Sequence, residues 1–401
     1  MRIYTGKGSI TLWALLGIWS VSALTSLPGL AISPILGDLS TIFKTATEFD
    51  VQMLTSLPSL LIIPFILLAG RTSDAVGYVR LLYWGLGLFL LSGLLYFLCD
   101  SIMELIFVSA LLGVGAGIIT PLSTSLVSRF FTGEQRTRQF GYSSAVNNLT
   151  LVAATAVTGY LAEIEWHLPF IVYLLPAVSL MLVPYIKSAE KSCGVSPVNG
   201  NVAVGAGYSS HINYSGLWKL MLYYLFITFL VMAVSVNLPF LMSENGHDSG
   251  SVGLVTSLFF LAIMLPGLFL NHILRFLGER VFLFSLLLIC CGLLVIFFYA
   301  SIMGAAVGVL LAGVGYGIAQ PCIYDRTASV ASLDKVTFAL ALVMTMNYVA
   351  IVISPPVVDI LQGVAKVTSE RFAFALNSCL CVIGLLFLLV RGALQKRRGN
   401  V

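Results

Sequence analysis

Charge is what this chain has least of. Asp, Glu, Lys and Arg together make up 9% of its 401 residues, against about a quarter in an ordinary globular domain. A water-soluble protein is excluded on that ground. Histidine is nearly as scarce: His167, His211, His247 and His272 are scattered over loops and helix ends, so no acid–base or metal-binding cluster can be read from them. The seven cysteines show no paired or metal-type spacing; Cys99, Cys290, Cys291, Cys322, Cys379 and Cys381 lie in or beside apolar runs and read as buried thiols. No Gly-x-x-x-x-Gly-Lys loop exists to cradle a nucleotide, which excludes ATP-driven pumping by this chain alone. With no nucleophile motif either, an enzyme is disfavoured, and no cofactor or metal is expected.

Apolar sequence is what the chain has most of, at 59% of residues. Runs of about 20 apolar residues recur from end to end, the length a helix needs to cross a bilayer. The first run, from Ser9 to Leu36, is too long for a signal-peptide core and reads as the first membrane helix. Twelve spans are expected. With both termini in the cytoplasm, 18 of the 21 Lys and Arg fall on the cytoplasmic side, and Lys44, Lys366 and Arg371 alone fall outside. This sorting follows the positive-inside rule, and an odd number of spans would scramble it. It also removes any reading of the net charge of +4 as nucleic-acid affinity. The Gly-, Ser- and Asn-rich stretch 188–215 reads as a flexible cytoplasmic connector between residues 1–187 and 216–401. The fold expected is an all-α integral membrane protein, with twelve transmembrane helices in two pseudo-symmetric six-helix bundles.

A repeat supports the two halves. Leu111-Leu112-Gly113-Val114-Gly115-Ala116-Gly117-Ile118-Ile119-Thr120-Pro121 returns 200 positions later as Leu311-Ala312-Gly313-Val314-Gly315-Tyr316-Gly317-Ile318-Ala319-Gln320-Pro321. The changed positions 112, 116, 119 and 120 share one helix face, while the kept glycines lie mostly on the other, where small residues let helices approach. The changed face is expected to line a site between the halves.

Twelve spans, two halves and a central linker resemble the major facilitator superfamily. So does Gly70-Arg71-Thr72-Ser73-Asp74-Ala75-Val76-Gly77-Tyr78-Val79-Arg80 between spans 2 and 3, where Gly70, Asp74, Gly77 and Arg80 match the family's loop motif. The resemblance implies a secondary active transporter of the bacterial inner (plasma) membrane, multi-pass and a monomer, of the drug-exporter-like, proton-antiporter branch. It would work by alternating access and take a small-molecule substrate, with the bilayer and protons as its other partners. Gly70 and Gly77 are read as permitting a tight turn. Asp74 is expected to pair with Arg129 as a cytoplasmic gate, and Arg275 with Asp325 in the second half. Against antiport stand Ser109, where the exporter pattern has arginine, and the lack of an acid deep in spans 1 and 4. Asp359, after Ser354-Pro355-Pro356, and Asp38 are the candidate proton carriers. The substrate candidates are Tyr316, Gln320 and Tyr324 on one face of span 10, with Thr120, Asn147, Asn347, Tyr348, Asn237 and Tyr224. Amides and phenols without a basic cluster favour a neutral or amphipathic organic molecule. Proton-coupled efflux and a specific metabolite transporter, working by symport or facilitated diffusion, both remain open.

Overall fold

The structure, a computed structural model, describes residues 2–6, 8–32, 35, 39, 42–43, 48–162, 164–192, 212–247, 249–299, 301–367 and 369–398. Twelve helices among them are long and apolar enough to cross a bilayer. They are α1 (Leu12–Ala23, resumed after a break as the turn Leu27–Leu30), α2 (Glu48–Val76), α3 (Tyr78–Leu95), α4 (Ile102–Phe130), α5 (Gly133–Ala162) and α6 (Pro176–Ser192), followed by α7 (Tyr214–Glu244), α8 (Ser249–Leu268), α9 (Val281–Phe298), α10 (Ile302–Val330), α11 (Val336–Ala365) and α12 (Arg371–Arg398). A short helix, Leu270–Leu277, follows α8. Helices satisfy their own backbone polar groups, which hydrocarbon cannot do for them. Prolines inside α2, α4, α7, α8, α10 and α11 interrupt none of these; α11 runs through Pro355 and Pro356 to Ala365. The connector expected at 188–215 lies mostly outside the described residues.

A short β-hairpin precedes the helices. Arg2–Tyr4 (β1) pairs antiparallel with Ser9–Thr11 (β2) ahead of α1, in the register Ile3 opposite Ile10. Thr11 then caps α1 by accepting from Ala14 N at 3.3 Å. The hairpin turn is anchored: Thr5, fully buried, accepts at its carbonyl from Thr132 N at 3.1 Å.

The chain forms two compact units, Met1–Met221 with Ile323–Tyr348, and Leu222–Cys322 with Val349–Val401. The boundary cuts α7, α10 and α11, so the ends of these helices that carry Lys219, Asp325 and Lys335 belong to the first unit.

Within each unit the repeated glycines do the same packing. In the first, a Cβ on Gly113 would sit 2.7 Å from Pro58 Cα and one on Gly117 2.7 Å from Phe65 Cβ, both on α2; one on Gly115 would sit 2.8 Å from Phe89 N of α3. In the second, Gly313 is bare where a Cβ would lie 2.6 Å from Ala262 Cβ of α8, Gly317 abuts Ile263 of α8, and a Cβ on Gly315 would lie 2.6 Å from Ser285 O of α9. The kept face of the repeat is a packing seam, with α4 joined to α2 and α3 as α10 is to α8 and α9.

Candidate functional site

The first helix stops being α-helical at Leu24–Ser26. Leu24 N, Thr25 N and Leu27 N each reach back only three residues, to Val21 O, Ser22 O and Leu24 O, all at 3.3 Å. A break at membrane depth frees backbone groups, which must find partners inside the protein. Tyr348 of α11 supplies one, donating from its hydroxyl to Thr25 O at 3.2 Å. Asn147 of α5 holds the side chains at the break, with its amide nitrogen 2.7 Å from Ser26 Oγ and its amide oxygen 3.1 Å from Thr25 Oγ1. Thr25 Oγ1 also lies 2.9 Å from Ser22 O and has a single proton to give. Turning the Asn147 amide by 180° resolves this: its N–H₂ donates to Thr25, Thr25 donates to Ser22 O, and Ser26 donates to the amide oxygen. Further along α5, Thr158 donates to Ala31 O at 2.8 Å.

Toward the start of α1 the same seam becomes aromatic. Trp19 donates from its indole nitrogen to Gln139 Oε1 at 3.0 Å and meets the Tyr142 ring edge-on, with centroids 5.9 Å apart. Arg138 lies over that ring at 5.1 Å and donates to the Tyr142 hydroxyl at 2.7 Å. Trp19, Thr25, Ser26, Tyr142, Asn147 and Tyr348 are all half-buried, so each keeps an open side. Asn147 and Tyr348 are expected site residues; Trp19, Thr25, Ser26, Gln139 and Tyr142 were not singled out. Pro28-Gly29, one residue after Thr25-Ser26, is the sequence signal that marks the break.

The second unit carries a smaller cluster. Gln320 donates to the Tyr224 hydroxyl at 3.0 Å, the Tyr224 and Tyr316 rings lie 6.5 Å apart at 28°, and the Tyr316 and Thr228 hydroxyls are 3.3 Å apart. Tyr224 is fully buried and Tyr316 is 9% exposed, so Gln320 is the half-open member. Asn237, buried on α7, donates to Glu370 Oε2 at 3.1 Å. The other expected residues are dispersed. Thr120 is buried and spends its hydroxyl on Ala116 O of its own helix at 2.7 Å. Tyr324 lies in the first unit, its ring 6.0 Å from that of Phe140, and Asn347 is half-buried there. Asp359 is exposed on the surface of the chain within α11, and Asp38 lies outside the described residues.

At the basic face of the first unit, helices of both sequence halves are latched together. Arg136, in the first turn of α5, donates from Nε to Asp325 Oδ1 at 2.7 Å and from Nη2 to Ser329 Oγ at 2.6 Å, both on α10. Thr137 donates to Asp325 Oδ2 at 2.9 Å. Both carboxylate oxygens thereby have partners, with Arg136 supplying a cation, while Arg275, the partner expected from the sequence, lies exposed on the short helix Leu270–Leu277 of the second unit. Arg129, 7% exposed, donates to Ser125 Oγ at 3.2 Å and to Thr337 Oγ1 of α11 at 3.1 Å, with its guanidinium 4.9 Å from the Tyr78 ring centroid. The Asp74 side chain expected to meet it lies outside the described residues. Gly70 also departs from expectation. It sits inside α2 rather than in a turn, and a Cβ there would collide with Ala341 Cβ of α11. The turn belongs to Gly77, at φ 88°, while Arg80 is exposed.

Twelve spans, a polar cluster at a broken helix and an ion-paired latch at one face describe a membrane transporter rather than a catalyst. The chain matches the Major Facilitator Superfamily over residues 14–355 and 220–400, and it belongs to that family. Among curated proteins it is 26% identical to the multidrug transporter protein MdtP of Bacillus subtilis, over 44% of this chain and 31% of that one. It is 27% identical to the quinolone resistance protein NorA of Staphylococcus aureus, over 31% of this chain and 32% of that one. The matched stretches thus span about a third of the length of these relatives. Among solved structures, the human organic anion transporter MFSD10 (TETRAN) superposes with TM-score 0.70 at 18% identity, covering 94% of this chain and 97% of that one. The proton:xylose symporter XylE superposes with TM-score 0.69 at 13% identity, covering 94% of each. Both likenesses concern the fold. The chain is thus a member of this transporter family with twelve helices long and apolar enough to cross a membrane among the described residues.

Proposed function

We propose that the chain moves a neutral or amphipathic organic molecule by alternating access, as a proton-coupled exporter. The observation that carries the substrate class is the half-open seam of Trp19, Tyr142, Asn147 and Tyr348 around the break in α1, which offers rings and uncharged hydrogen-bonding groups. Such a lining suits a flat or amphipathic ligand with few charges. Likeness to multidrug and quinolone-resistance proteins supports export. The latch of Arg136, Thr137 and Asp325 would hold the cytoplasmic side shut, with both termini on that side, and the working unit is a monomer. A second reading, a specific metabolite transporter working by symport or facilitated diffusion, is favoured by the exposure of Asp359.

Proton flux in proteoliposomes containing a pH-sensitive dye separates the two. Export coupled through Asp359 requires dye signals that follow gradients of amphipathic compounds and vanish in Asp359→Asn. A silent dye while labelled compound still crosses would replace the exporter reading with the second one.

A further inference from the structure

Two thiols meet where α9 and α12 pack side by side in the second unit. Cys381 is fully buried, and its Sγ donates to Leu286 O of α9 at 3.4 Å. In an α-helix the carbonyl of residue 286 is also the acceptor for the backbone N–H of residue 290, so this contact brings Cys381 beside Cys290. Cys290 is itself 4% exposed. Gly384, one turn further along α12, leaves room for the Phe226 ring of α7, which a Cβ there would meet at 2.6 Å; the same Cβ would make an ordinary contact with Leu286 Cδ2 of α9 at 3.5 Å. Cys291 and Cys379 lie beside the pair in sequence and are exposed, so the helices that hold the pair also reach the surface of the unit. Among the described residues no group of three or more His, Cys, Asp or Glu could hold a metal ion. A closed tetrahedral zinc site is therefore not built here.

We propose that Cys290 and Cys381 form a dithiol site for trivalent, thiol-seeking metalloid compounds, with aryl arsenoxides as the ligand class. The step exchanges ligands and transfers no electrons. Each Sγ forms one bond to arsenic, the arsenic–oxygen bonds break, and the oxygen leaves as water with both thiol protons. Arsenic stays trivalent and neither sulfur is oxidised. Two thiols on adjoining helices, with Cys381 held at the carbonyl one turn before Cys290, make the second arsenic–sulfur bond intramolecular, which raises retention well above that of a single cysteine. The product would join α9 to α12 covalently. The site lies apart from the aromatic seam of the first unit and does not depend on the transport reading.

The test uses the full-length, reduced protein in detergent, treated with phenylarsine oxide. The expected product survives a monothiol wash, is released by a dithiol, and joins the peptides containing Cys290 and Cys381 through one arsenic in mass spectra. Cys290→Ala and Cys381→Ala are each expected to weaken retention about tenfold or more, whereas Cys291→Ser and Cys379→Ser leave it unchanged. Retention that persists in either alanine variant, or an arsenic mapped to Cys291 or Cys379, would overturn the proposal. Because the mapping is done on unmodified sequence, it decides the matter even where an alanine variant fails to fold.

Discussion

Arg136 carries the heaviest duty of any single side chain described. It holds Asp325 and Ser329 on α10 while its own backbone nitrogen is bonded to Thr132 O at 3.4 Å, and Thr132 is in turn held by Thr5 of the hairpin. The charged pair is about four-fifths buried, at 17% and 19% exposure, so removing one partner strands the other. Hydrogen bonds to charged groups contribute roughly 1.5–3 kcal/mol. Asp325→Ala is therefore expected to shift the latch toward its open form by about tenfold or more, read as faster maleimide labelling of a cysteine placed at Ser329. Exchanging the two charges, Arg136→Asp with Asp325→Arg, should recover part of the loss; unchanged labelling in Asp325→Ala would dismiss the latch. At the break in α1, Tyr348→Phe removes one neutral hydrogen bond to Thr25 O. About 1 kcal/mol is at stake, so substrate affinity should fall roughly fivefold, seen in the concentration dependence of uptake. Asn147, Tyr348, Gln320 and Tyr316 were legible in the sequence because amides and phenols stand out in apolar spans. Trp19 and Gln139 were not, because an aromatic ring on a membrane helix reads as bulk and a glutamine near a helix start reads as surface.

Helices are easier to read from this sequence than turns or sites. The twelve spans follow from hydropathy alone, since nothing but a self-satisfied helix survives in hydrocarbon. The glycine repeat went further and marked which helices touch. Gly117 and Gly317 both abut the α2 or α8 backbone, so Gly117→Val and Gly317→Val should each overpack their seam and cost about 1–3 kcal/mol. Thermal unfolding in detergent would show both variants melting earlier, and a silent Gly317→Val would break the equivalence of the repeats. The loop motif was read less well. Gly70 was taken for a turn glycine, yet α2 runs on to Val76 and Gly70 serves the approach of α11. A glycine before Gly77 looks the same in sequence whether it bends the chain or admits a neighbour. The break in α1 was missed for the opposite reason: high hydropathy on both sides hid three residues of lost helix.

At the scale of the whole molecule, the chain's two units do not follow its two sequence halves. The charged ends of α7, α10 and α11 pack with the first half, through Arg129, Arg136 and Gly70. Sequence could show that the halves are related but not where their ends are latched, because the partners are far apart in the chain and no periodicity links them. In the orientation proposed from charge sorting this face is cytoplasmic, and the closed latch would then correspond to a transporter shut on that side. The most direct measurement is the flux of a labelled amphipathic aromatic compound across proteoliposomes containing the wild-type chain, compared with Asn147→Ala. Substrate recognition at the α1 break predicts saturable flux in the wild type and a loss of about tenfold or more in the variant, since Asn147 bonds both Thr25 and Ser26. Equal flux through both proteins, with the variant folded, would contradict it.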